Sequence, residues 1–119
     1  MAANFTAKVV GVSFVPGYPD NLHMLAQAAD NAEVRGEPLA VVLKRNPQNE
    51  YDSNAIEVHV PGLGEENGFI GHLTRPIAQR MAPEMDAGEP WLAEVASVLI
   101  DPDHPDRPGI SIHCWKVAR

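Results

Sequence analysis

One stretch of this chain concentrates side chains able to do chemistry: Leu43 to Val58, LKRNPQNEYDSNAIEV. It places Asn46, Gln48, Asn49, Tyr51, Asp52 and Asn54 close together with Lys44 and Arg45. A carboxamide presents a paired donor and acceptor, and so reads base edges or sugar hydroxyls. A tyrosine face stacks on a base. An aspartate accepts a hydrogen bond from a hydroxyl and repels a phosphate. Together these groups suit a nucleotide with a free hydroxyl better than a continuous backbone. The competing reading is an Asx-rich turn, with Asp52 receiving backbone N–H groups and Tyr51 packed half-buried. Asn54 is expected to hold the loop. A second run, Gly68 to Ala82 (GFIGHLTRPIAQRMA), adds His72 at a strand end and Arg75 in a first helical turn. A cation there is mildly unfavourable with the helix dipole, which points Arg75 toward an external group or solvent. Phe14 ends an apolar strand and reads as a core residue.

Other chemistries lack their parts. No GxSxG, HExxH or phosphate-loop pattern occurs, so no catalytic residue and no cofactor is expected. The single cysteine, Cys114, rules out intrachain disulfides and Cys-only zinc sites. Flanked by His113 and Trp115, it reads as a half-buried strand residue rather than a nucleophile. His104 and His113 have no standard zinc spacing, so no metal is expected.

The elements that must position these residues are short. Eleven prolines and nine glycines divide the chain. Phe5–Val15 reads as a strand, and Asp20 or Asn21 as the cap of a helix over Leu22–Glu33 that stops at Gly36. Pro38–Leu43 reads as a buried strand and Asn46–Asn54 as a polar turn. Ala55–Val60 (AIEVHV) alternates, putting Ile56, Val58 and Val60 on one face and Glu57 and His59 on the other. Pro61–Gly68 is a hairpin loop and Phe69–Leu73 a strand. Thr74 caps a helix with Pro76 in its first turn, where a missing N–H is harmless. Ile77, Met81 and Met85 share one face of that helix, and Gly88 ends it. Trp91–Ile100 and Gly109–Val117 are the last strands, joined by a Pro/Asp-rich turn. The fold class expected is mainly β (α+β), a small bent sheet or barrel of six strands with two helices, in one domain over residues 1–119.

Composition narrows the partners. The 119 residues are 45% hydrophobic, enough for a working core. Sixteen acids against nine Lys and Arg give a formal charge of −7. That argues against coating long DNA by bulk charge but leaves room for a small local site. Lys44, Arg45, Arg75 and Arg80 all fall within the two motif segments. No apolar run is long enough to span a membrane, no signal peptide is evident, and a cytoplasmic location is expected.

The two motifs, in this order and preceded by VVGVSFVPG, resemble the HIRAN domain over roughly Ala7 to Trp115. The resemblance implies a modified OB-like β-barrel. It also implies capture of the 3′-hydroxyl end of single-stranded DNA, as in the HIRAN domains of fork-remodelling helicases. By position, Tyr51 would stack on the terminal base, Asp52 would meet the 3′-hydroxyl, and Asn49 would lie near the base. His72 and Arg75 would lie close to the backbone phosphate, and Phe14 would stack on the base's other face. Three positions depart from the helicase pattern: Ser13 replaces an arginine, Val15 an aromatic, and Glu50 a proline. The function expected is a non-catalytic nucleic-acid-binding module, with a helicase or nuclease as a protein partner to supply the motor or chemistry it lacks. The alternative is a protein-interaction module or recruiting subunit on the same barrel that has lost DNA-end binding.

Overall fold

The computed structural model describes residues 4–12, 15, 20–104 and 108–117. Six antiparallel strands close into a barrel: β1 (Asn4–Val10), β2 (Ala40–Arg45), β3 (Ile56–His59), β4 (Phe69–Leu73), β5 (Trp91–Leu99) and β6 (Gly109–Lys116). Around the barrel the order is β1-β4-β3-β2-β5-β6, with β6 returning to β1. Two long helices accompany it, α1 (Asp20–Arg35) and α3 (Arg75–Asp86). The loop expected at 61–68 is instead a 3₁₀ turn, Pro61–Leu63, followed by a single helical turn, α2 (Gly64–Asn67).

Alternation sets what faces inward. Ile56, Val58 and Val60 are fully buried, while Glu57 and His59 between them are half-buried. The interior is filled from every strand, by Val9, Val41, Ile70, Ala93 and Ile112 among others. Each fully buried aliphatic side chain of this kind stabilises by about 1.5–3 kcal/mol. Helix α3 sinks Ala78, Met81 and Ala82 into the same core, and α1 contributes Leu22 and Leu25.

Three local expectations are corrected. The first strand ends at Val10, not Val15, because Gly11 takes φ +71° and turns the chain. Val15 is nonetheless buried. Asn21 is not a cap: it lies inside α1, fully buried, and its Nδ2 donates to the Phe69 carbonyl at 3.2 Å. Thr74 does hold the N-cap position of α3, but its side chain makes no capping bond there.

Cys114 is fully buried on β6 rather than half-buried. Burial pushes its thiol up to about 11, which suppresses the reactive thiolate. The native protein should therefore resist iodoacetamide at neutral pH and be alkylated once unfolded. Stoichiometric labelling of the native chain, read by mass spectrometry, would contradict this.

Candidate functional site

The 46–55 loop is fastened at both ends and in its middle. At its base, Asn46 N–H donates to the Ala55 carbonyl at 2.9 Å. Asn49 Oδ1 accepts from the backbone N–H of Tyr51 at 2.9 Å and of Asp52 at 3.1 Å. Asp52 Oδ1 accepts from Asn54 N–H at 2.9 Å. These are Asx turns, in which a side-chain oxygen replaces a backbone acceptor. They fix the loop's shape and leave the Tyr51 side chain outside it, 77% exposed.

A residue that sequence reasoning left unassigned does much of the fastening. The Arg45 guanidinium donates to the Ala55 carbonyl at 2.9 Å and the Ser53 carbonyl at 3.1 Å. It also grips Asp86, at the end of α3, through two bonds of 3.0 and 3.3 Å. The only signal in the sequence was an arginine at the junction of strand and polar loop. Arg45→Met is expected to destabilise by about 1–2 kcal/mol, since the carbonyl bonds count for more than the exposed half of the ion pair. Urea denaturation checks this, and an unchanged midpoint would refute it.

Strand pairing brings the second motif to this loop. On the outer side of the barrel, Glu57 of β3 faces His72 of β4, and His72 faces Val10 of β1. Helix α3 then starts at Arg75, whose guanidinium reaches back to donate to the Tyr51 carbonyl at 3.2 Å. The result is a cavity of about 240 Å³ lined by Val10, Asn49, Tyr51, Asp52, Ala55, His72, Leu73 and Arg75. Five residues singled out in the sequence, Asn49, Tyr51, Asp52, His72 and Arg75, thus share one wall-and-floor arrangement. The sixth, Phe14, lies outside the described residues, as do Ser13 and Tyr18.

Each member presents a definable surface. Tyr51 offers an exposed ring. Asp52 keeps one carboxylate oxygen, Oδ2, without a partner among the described residues, because the turn engages only Oδ1. Asn49 gives its oxygen to the turn and retains its NH2. His72 packs edge-on to Phe69, with ring centroids 5.3 Å apart. Its Nε2 is shielded from solvent and has no hydrogen-bond partner among the described residues.

The charge is sparse. Arg75 is the one cation among the lining residues, and Asp52 the one anion. Neither Lys44 nor Arg45 joins them. Lys44 lines a separate cavity with Val42, His59 and Pro61, and Arg45 is occupied by the loop and Asp86. Glu50, beside Tyr51, is exposed. A single guanidinium can hold one phosphodiester; it cannot track a backbone. Among the described residues, no group of three His, Cys, Asp or Glu could hold a metal ion, and no helix is long and apolar enough to cross a membrane.

A family model described as the HIRAN domain matches residues 3–115. Among solved structures, a protein from Lactobacillus plantarum aligns over 98% of this chain and 95% of its own length, with 25% identity and a TM-score of 0.66. The HIRAN domain of human HLTF aligns over 96% of this chain and 74% of its own, with 22% identity and a TM-score of 0.63. At that identity the second likeness speaks to the fold alone. No curated protein is matched by sequence.

Proposed function

The chain belongs to the HIRAN domain family, and from that premise we propose that it is a non-catalytic module that captures the 3′-hydroxyl end of single-stranded DNA in the Tyr51 cavity. The observation that carries this reading is the convergence in one small cavity of an exposed aromatic ring, a carboxylate with a spare oxygen, and a lone guanidinium. The terminal base stacks on Tyr51, a contact worth about 1–3 kcal/mol by alanine substitution. Asp52 Oδ2 accepts a hydrogen bond from the 3′-hydroxyl; the same oxygen would repel a phosphate in that place. Arg75 pairs with the one phosphodiester that precedes the terminal nucleoside.

Size and charge support an end rather than a strand. At about 240 Å³ the cavity lies below the roughly 300–1,000 Å³ of pockets for drug-sized ligands. With a formal charge of −7, the protein as a whole repels a polyanion. Affinity must come from a few local contacts, and the salt dependence should be shallow. One neutralised phosphate corresponds to a slope of about −0.7 in log K against log salt. The role left to such a module is recognition, with a separate helicase or nuclease supplying work or chemistry.

Mapping by ¹⁵N–¹H correlation spectra tests the location. A 3′-hydroxyl trinucleotide should shift the amides of the 49–55 loop and of His72 and Arg75. Saturable binding that shifts only amides elsewhere would overturn the assignment.

A further inference from the structure

Strand β5 runs on beyond its neighbour β2. Their ladder covers only Ala40 opposite Glu94 and Val41 opposite Ala93. The last contact is Val95 N–H donating to the Leu39 carbonyl at 2.9 Å. Next comes a bulge: Val95 faces Ile112 and Ser97 faces Ser111 on β6, so Ala96 is the extra residue. From Ala96 to Leu99 the strand keeps β6 on one side. On the other it has no main-chain partner among the described residues. Bulges commonly terminate pairing in this way. An unpaired edge is a template for another chain unless something covers or blunts it.

Here, among the described residues, the edge opens into a groove instead of being covered. Helix α1 lies across from it, and between them is a cavity of about 610 Å³. Its apolar surface includes Ala29, Leu39 and Val98; its charged groups are Asp30, Glu33 and Glu37, and among the described residues no Lys or Arg lines it. The open length is about four residues, near 13 Å of extended chain.

We infer that this groove docks an extended, basic segment of a partner protein, which adds to the free edge of β5 as an extra strand. Main-chain hydrogen bonds to Ala96–Leu99 supply the register. Alternate side chains of the incoming strand then divide between two environments. Apolar residues settle against Leu39 and Val98, and Lys or Arg residues meet Asp30, Glu33 and Glu37. The three carboxylates select against a second copy of this acidic chain, because pairing edge to edge would crowd like charges. None of the Tyr51 cavity residues lines the groove, so the inference is independent of nucleic-acid binding.

The test uses the full chain and a fluorescein-labelled six-residue peptide of alternating Val and Lys. Saturable binding is expected, with amide shifts clustered at Ala96–Leu99 and along α1. The Val/Glu counterpart peptide should not bind. Asp30→Lys, Glu33→Lys and Glu37→Lys together should weaken Val/Lys binding about tenfold or more, the equivalent of roughly 1.4 kcal/mol. The inference falls if the Val/Glu peptide binds the parent chain equally well, a comparison that does not depend on how the triple variant folds. It also falls if the charge reversals leave affinity unchanged, if the shifts lie at the Tyr51 loop, or if the parent chain dimerises through this edge.

Discussion

Tyr51→Ala should weaken binding of a 3′-hydroxyl oligonucleotide roughly 5- to 150-fold, the range set by about 1–3 kcal/mol of base stacking. The melting temperature should stay where it was. Both expectations come from the same geometry. Tyr51 is 77% exposed, and its ring fills no part of the core. The parts of Tyr51 that do hold the loop are backbone atoms: its N–H donates to Asn49 and its carbonyl accepts from Arg75. Alanine keeps both. Tyr51→Phe should retain most of the affinity, since stacking needs the ring and not the hydroxyl. The two variants separate a ligand contact from a structural tyrosine. A parallel loss of stability and affinity in Tyr51→Ala would assign the ring to the fold. Unchanged affinity would remove it from the site.

The largest effect on stability is expected at a glycine of the second motif. Gly71 sits on β4 with φ +148°, a region that side chains rarely adopt. A Cβ there would lie 2.6 Å from the Val10 carbonyl oxygen and 2.7 Å from Val9 Cγ1. The obstacle is β1 backbone as well as side chain, so it cannot simply swing aside. Gly71→Ala therefore combines backbone strain with overpacking, each worth about 1–3 kcal/mol. A loss of about 3 kcal/mol would lower the melting temperature of a domain this size by about 10 °C or more. Gly62→Ala is the control, since its nearest neighbour, Leu39 Cδ1, is at an ordinary 3.8 Å. Denaturant unfolding of the pair should show a large shift for Gly71 and almost none for Gly62. Equal midpoints would mean that β1 and β4 do not approach as closely as described. Binding should suffer with Gly71→Ala too, because Val10 and His72 pair across the same contact and both line the cavity.

The sequence was most informative where a short period dictates a face. The AIEVHV alternation puts Ile56, Val58 and Val60 inward because a strand has no other way to bury every second residue. The polar run after Leu43 is a loop for the complementary reason, having nothing to bury. The meeting of Tyr51 with His72 and Arg75 is of another kind. It depends on β3 pairing with β4 and β4 with β1, and no local pattern encodes that. Only the family resemblance put those residues together beforehand. Neighbouring strand residues point to opposite faces, so at most one of Lys44 and Arg45 can face the site; in the fold neither does, because Lys44 lines a separate cavity and loop carbonyls and Asp86 engage Arg45. Asn21 looked like a cap because Asn is favoured at helix starts. A tertiary contact with the Phe69 carbonyl explains it instead. The bulge at Ala96 had no signal at all, since WLAEVASVLI reads as uninterrupted strand. The open edge it creates is a property of the closed barrel, visible only once β2 and β5 are seen to differ in length.

End recognition as proposed depends most heavily on Asp52 as the reader of a free hydroxyl. The direct measurement is fluorescence anisotropy at low salt with two oligonucleotides identical except at the 3′ terminus, one ending in hydroxyl and the other in phosphate. The hydroxyl form should bind at least about tenfold more tightly, because the phosphate forfeits a charge-assisted hydrogen bond and places an anion against a carboxylate. Equal binding of the two would contradict end recognition, and no binding of either would contradict nucleic-acid capture by this cavity.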